Sequence, residues 1–146
     1  MKRTEVGSYQ QIMDAAAVAA FLDTAFPKDT RPVYGRVSTV APGYAEMRLD
    51  PTEAMLRPGR RVSGPTLMGL ADVVAYAVVI AHVGPVAMAV TNTLTMNFLR
   101  ACEMRMIVAE ARLLKLGRRL AVVDVRIWQD SEDRPVAQAT VGYALP

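Results

Sequence analysis

This chain is short of the residue types on which several kinds of chemistry depend. It has one cysteine, Cys102, and one histidine, His82, in 146 residues. A lone cysteine rules out an internal disulfide and fits a reducing compartment. One histidine without a cysteine partner leaves no metal-ligand cluster, so no metal is expected. Charge is modest too: 17 Lys+Arg against 14 Asp+Glu leave +3 at pH 7. That permits an anionic ligand but does not demand nucleic acid. There is no low-complexity tract and no internal repeat. Met1-Lys2-Arg3 before an Ala-rich stretch mimics a signal peptide, but Asp14 interrupts it and Asp23 follows. With 52% hydrophobic and 21% charged residues, 1–146 reads as one domain with a real core. A soluble, cytoplasmic protein with no membrane and no nucleic-acid partner is expected.

Only one long apolar run is present, Val62 to Pro85, VSGPTLMGLADVVAYAVVIAHVGP, and its sole charge is Asp72. Ser63 is a good N-cap, Gly64 allows close approach of a ligand, and Pro65 suits the first turn. Gly84 can close the helix and Pro85 cannot continue it. The run is long enough to cross a bilayer, but Asp72 near its middle argues against that. A helix apolar on nearly every face is buried all round. One carboxylate inside it needs a reason, because an unpaired buried charge is costly.

Around this run the chain divides into a helical segment, 1–30, and a core, 31–146. Ser8 to Phe26 reads as an amphipathic helix through Val18, Phe21, Leu22 and Ala25, ended by Pro27. Pro32–Val40 and Tyr44–Asp50 read as strands joined by Ala41-Pro42-Gly43. The loop to Arg61 carries Arg57, Arg60 and Arg61 just before the buried helix N-terminus, where an anion would be favoured. After the helix the period is two: Val86–Leu99, Glu103–Leu116, Leu120–Gln129 and Arg134–Leu145, with short turns between. Short turns mean antiparallel pairing. The fold class is α+β, an antiparallel sheet wrapped around one long central helix, with an N-terminal helix.

That order, with SGPTLMGLAD at the helix start, resembles the hotdog fold and, more narrowly, acyl-CoA thioesterases of the phenylacetic-acid degradation type. In that family a His-Gly-Gly motif opens the helix and an Asp follows nine residues after the His. Ser63 holds the His place here, Gly64 and Pro65 the two Gly places, and Asp72 the Asp place. Arg57 stands where an Asn is usual. VTNTLTMNFLR resembles the strand carrying a supporting Ser or Thr, which falls on Thr91. LLKLGRRLAVVDV resembles the basic hairpin, and PVAQATVGY the final strand. The resemblance implies hydrolysis of a small-to-medium or aromatic acyl-CoA in a homodimer or homotetramer, with coenzyme A as part of the substrate and no separate cofactor. The departures at Ser63 and Arg57 keep a non-catalytic acyl-CoA-binding or regulatory protein open as the alternative.

Thioester hydrolysis needs donors for a developing oxyanion and a carboxylate to attack or to activate water. The Gly64 N–H lies at the positive end of the helix dipole, and Asp72 is the carboxylate inside the run. Gly64, Asp72 and Thr91 are the candidate catalytic residues. Thr91 would support Asp72 or the water through its hydroxyl. Eight residues of helix separate Gly64 from Asp72 by roughly 12 Å along the axis. They cannot both touch one thioester, so a shared site needs an antiparallel second chain. Ser63, Arg57, Pro65 and an adaptable Met68, with Met88 and Met96, are expected around the substrate. Arg100, Lys115, Arg118 and Arg119 are candidate partners for the coenzyme A phosphates. Trp128 and Tyr143 read as packing, and Cys102 as an ordinary turn residue.

Overall fold

The computed structural model describes residues 9–146. Helix α1 (Ala15–Ala25) comes first, then strands β1 (Arg36–Ala41) and β2 (Tyr44–Leu49). A small hairpin follows, β3 (Leu56–Arg57) and β4 (Arg61–Val62), leading into helix α2 (Gly64–Val83). Four strands close the chain: β5 (Val90–Phe98), β6 (Ile107–Leu116), β7 (Leu120–Trp128) and β8 (Ala137–Ala144). Six strands form one antiparallel sheet in the order β1-β2-β6-β7-β8-β5.

Alternation decides which side of each strand meets α2. Ala45, Met47 and Leu49 of β2 are buried, as are Ile107, Ala109, Ala111 and Leu113 of β6. Ala121, Val123, Val125 and Ile127 of β7 continue the same inner face. Thirteen residues of α2 from Leu67 to His82 are buried against it. This helix passes a length-and-hydropathy test for a membrane span, but 72% of that window is buried inside the fold. It is a core helix, and the architecture is a hotdog.

Both ends of α2 are tied down. Ser63 Oγ accepts from the Thr66 N–H at 3.3 Å, and the Ser63 N–H donates to Met55 O at 2.9 Å. At the far end Gly84 takes a positive φ of 99°, a conformation that costs glycine little. His82 donates through Nδ1 to Val78 O (2.7 Å) and accepts at Nε2 from the Gly43 N–H (2.8 Å). Both ring nitrogens are therefore used, and burial pushes the His82 pKa down.

Several boundaries differ from the sequence reading. Helix α1 starts at Ala15, because Asp14 Oδ1 captures the Ala17 N–H at 2.8 Å. Residues 9–14 are not helical: the Ile12 and Met13 N–H groups donate to Ala81 O of α2 instead. Ser8, the expected helix start, lies outside the described residues. The expected strand at Pro32 is a 3-10 turn, Arg31–Tyr34, and β1 begins only after Gly35. Gly35 is required there, since a Cβ would meet Arg48 O at 2.7 Å. The expected strand at Val86 starts at Val90, because residues 86–89 close a turn through Ala89 N–H to Val86 O. Likewise β6 starts at Ile107 rather than Glu103, and the loop before α2 folds into the β3–β4 hairpin.

Candidate active site

Strand β5 is the edge of the sheet, paired only with β8, and it is exposed along almost all its length. A bulge interrupts its pairing: Thr91 faces Tyr143 and Thr93 faces Gly142, leaving Asn92 as the extra residue. The bulge matters because an added residue reverses which face a side chain takes. Thr93 pairs with Gly142 on the outer face, while Thr91 pairs with Tyr143 and turns toward α2. The Asn92 side chain lies over Gly142, where a Cβ would meet Asn92 Oδ1 at 2.4 Å and Thr93 Oγ1 at 2.7 Å.

Thr91 Oγ1 donates to Asp72 Oδ1 at 2.6 Å. The Tyr143 hydroxyl reaches the same Oδ1 at 2.6 Å and the Asp72 backbone carbonyl at 2.9 Å. Among the described residues no donor or cation is paired with Oδ2. Asp72 is half-buried rather than enclosed in the core as expected, because α2 presents this position at the open edge of the sheet. It lines a cavity of about 450 Å³ with Phe26, Val73, Tyr76, Ala87, Ala89, Val90, Thr91 and Tyr143. Tyr76 stacks on Tyr143 (5.8 Å between centroids, 27°) and meets Phe26 edge-on at 6.1 Å. Burial and the neighbouring Asp72 push the Tyr143 pKa well up, so its hydroxyl stays protonated and can donate.

Gly64 is the first residue of α2, eight residues before Asp72. Its half-buried N-terminus faces Phe98, whose ring would lie 3.5 Å from a Cβ at that position. One chain therefore does not bring Gly64 and Asp72 together; the straight helix keeps them apart. Ser63 is engaged as the cap, with its Oγ also 3.0 Å from Thr66 Oγ1. Pro65 and Arg57 are exposed beside it. Met68, one turn before Asp72, is 41% exposed and does not line the cavity. Met88 is exposed and Met96 packs on the core, so the expected methionine lining is replaced by Phe26, Tyr76 and Tyr143.

The basic residues fall into two groups. Lys115, Arg118 and Arg119 surround a cavity of about 400 Å³ at the β6–β7 tip. Leu120 and Val90 both pair with Ala144, so this tip lies at the Asp72 end of β5. Arg100 lies beyond the other end of β5, donating to Pro135 O at 2.7 Å, in a second cavity with Arg105 and Arg134. Cys102 is buried and its thiol is pushed up to about 11, which leaves it unreactive at neutral pH. No group of three His, Cys, Asp or Glu among the described residues could hold a metal ion.

Tyr143, which reads as packing in the sequence, lines the wall together with Tyr76 and Phe26, which the sequence does not single out. The period-two pattern of the last strand held a usable signal. It puts Ala137, Ala139, Val141 and Tyr143 on the face toward α2, and only the last carries a hydroxyl.

A long apolar helix wrapped by six antiparallel strands is the hotdog architecture, and the family model places it among the thioesterases. Residues 59–136 match the profile of the thioesterase superfamily, and the chain belongs to that family. A protein of Silicibacter sp. TM1040 proposed to be a thioesterase is 39% identical, with 96% of each chain covered and a TM-score of 0.85. A phenylacetic acid degradation-related protein from Ralstonia eutropha JMP134 is 26% identical (86% of this chain, 98% of that one, TM-score 0.76). A hypothetical thioesterase from Streptococcus pneumoniae TIGR4, solved with coenzyme A, shares the fold at 21% identity (76% and 84% covered, TM-score 0.67). No curated protein matches the chain.

Proposed function

We propose that this protein is a cytoplasmic acyl-CoA thioesterase that works as a homodimer or a pair of dimers. The observation that carries the reading is Asp72, which lines a cavity and has one oxygen held by two hydroxyls while the other is left without a protein donor among the described residues. In hydrolysis through water, Asp72 takes a proton from water while the hydroxide adds to the thioester carbon. The oxyanion then collapses, expels the coenzyme A thiolate and leaves a carboxylic acid. In the nucleophilic route Asp72 Oδ2 adds to the thioester carbon, the coenzyme A thiolate leaves to give a mixed anhydride, and water then cleaves that anhydride to the carboxylic acid and the free Asp72 carboxylate. In both routes the Gly64 N–H at the helix N-terminus donates a hydrogen bond to the developing oxyanion.

The donor must come from a second copy, and the unpaired edge of β5 supplies a way to bring it. Val90 and Phe98 are about half exposed there, beside exposed Met88 and Met68. An edge strand with apolar flanks is a template for pairing with another strand. Antiparallel pairing of β5 with its own copy sets the Phe98–Gly64 end of one chain against the Thr91–Asp72 end of the other. The same operation brings Arg100 of one copy toward Lys115, Arg118 and Arg119 of the other, which suits a ligand with several phosphates. The aromatic walls of the cavity favour a small or aromatic acyl group over a long chain.

The test is thiol release from short, long and aromatic acyl-CoAs by the wild type and by Asp72→Ala. Turnover that vanishes in the variant with the oligomer intact supports the reading. Coenzyme A binding without turnover on any thioester would favour the acyl-CoA-binding alternative, which the use of Ser63 as a cap leaves room for.

A further inference from the structure

We infer that Tyr143 is a positioning residue that, together with Thr91, commits Oδ1 of Asp72 to the protein and leaves Oδ2 as the reacting oxygen. The inference rests on the thioesterase reading and adds a residue and an atom to it. A free aspartate carboxylate rotates about two torsions and its oxygens are equivalent. In this site the equivalence is removed. The Tyr143 hydroxyl lies 2.6 Å from Oδ1 and 2.9 Å from the carbonyl of the same residue, so one phenol bridges the backbone and side chain of Asp72. Its single proton goes to the shorter, charged contact, with the carbonyl sharing it. Thr91 adds a second donor to Oδ1 at 2.6 Å. Two charge-assisted bonds on one oxygen fix the carboxylate plane, and the remaining oxygen is the only one free to meet substrate or water.

The supporting frame is built for the same end. Tyr143 is 3% exposed and is held by its stack on Tyr76, whose own hydroxyl is occupied by Val86 O and Ala87 O at 3.3 and 3.4 Å. Its neighbour Gly142 admits the Asn92 bulge, and that bulge turns Thr91 inward. Consecutive residues of β8 thus place both donors, one directly and one through β5. Burial and the Asp72 charge hold the phenol in its protonated, donating form.

Tyr143→Phe keeps the ring and its stack while deleting the donor. A hydrogen bond to a charged group is worth about 1.5–3 kcal/mol, so kcat should fall about ten- to a hundredfold. KM should stay within about threefold, because the lost contact is to the enzyme's own carboxylate. A second measurement does not depend on turnover. The hydrogen-bonded Tyr143 hydroxyl proton, seen by NMR in the intact wild type and absent in Tyr143→Phe, should move upfield in Asp72→Ala. Wild-type kcat in Tyr143→Phe beside an inactive Asp72→Ala overturns the inference and leaves the thioesterase reading standing. So does a loss carried by KM alone, or a hydroxyl proton indifferent to Asp72→Ala. Turnover that survives in Asp72→Ala overturns the assignment of Asp72, and this inference with it, while thioester hydrolysis stands; absence of turnover in the wild type on every thioester overturns the thioesterase reading itself.

Discussion

Two carboxylates are drawn out of water on opposite sides of the sheet, and they are held in opposite ways. Asp72 lies on the helix side and lines a cavity, with one oxygen held by two hydroxyl donors and the other left without one among the described residues. Glu110 lies on the outer face of β6, 1% exposed, with Tyr44 donating to Oε2 at 3.1 Å and Arg112 3.6 Å away. Glu46 is its cross-strand neighbour, and Oε1 has no partner. Burial pushes the Glu110 pKa up. Glu110 is the more deeply buried group, yet it has no route to a substrate. On the proposed reading, depth of burial is not what marks the reactive carboxylate; an uncommitted oxygen in a residue that lines a cavity is.

Exchanging the roles in experiment is the sharpest way to break that contrast. Asp72→Ala should lower thiol release at least about a hundredfold, the scale of a lost acid–base group, with the melting temperature nearly unchanged. Glu110→Ala should do the reverse. Removing one side of a buried pair strands Arg112, so denaturant unfolding should show a loss of about 3 kcal/mol while activity per folded molecule persists. Gly142→Ala should fall between the two, because Asn92 and Thr93 must rotate away from the new methyl group. A stability loss of about 1–2 kcal/mol and a several-fold drop in kcat are expected together, since Thr91 moves with the bulge.

The smallest effect is in pH. His82 has a folded pKa below its ordinary 6.5, so its contribution is fully present above pH 6.5 and is lost as pH falls through the lowered value. Glu110 has a raised pKa, so its contribution is present below 4.5 and is lost as pH rises. Chemical denaturation of the wild type should therefore show a limb, set by His82, in which stability falls as pH drops below 6.5. His82→Ala should flatten that limb and leave the opposing trend from Glu110.

Much of this arrangement is readable from sequence for physical reasons. Caps at Ser63 and Gly84 bound an apolar run with one charge, and alternation in β6, β7 and β8 fixes their inner faces. Asp72 is conspicuous because a charge in such a run is rare. Tyr143 was hidden because a tyrosine at an inner strand position is ordinary, and its meaning depends on what lies opposite. The Asn92 bulge was hidden because one extra residue leaves no mark on composition. Glu110 sits at an outer position where a glutamate belongs, and only its neighbours across β2 and β7 seal it. The start of α1 slipped because the amides of residues 12 and 13 bond to Ala81, a partner distant in sequence.

The clamps at the two ends of α2 act on the site in the way bearings act on an axle. Sliding the helix by a single residue would shift Asp72 by about 1.5 Å and swing it by about 100°, away from both hydroxyls. The bonds from Met55 at one end, and from Gly43 and the 12–13 amides at the other, remove that axial play. Aim at the centre of the shaft is therefore set at its ends. Wear at a remote bearing such as Gly43–His82 would register as a poorly aimed carboxylate before it registered as an unfolded chain.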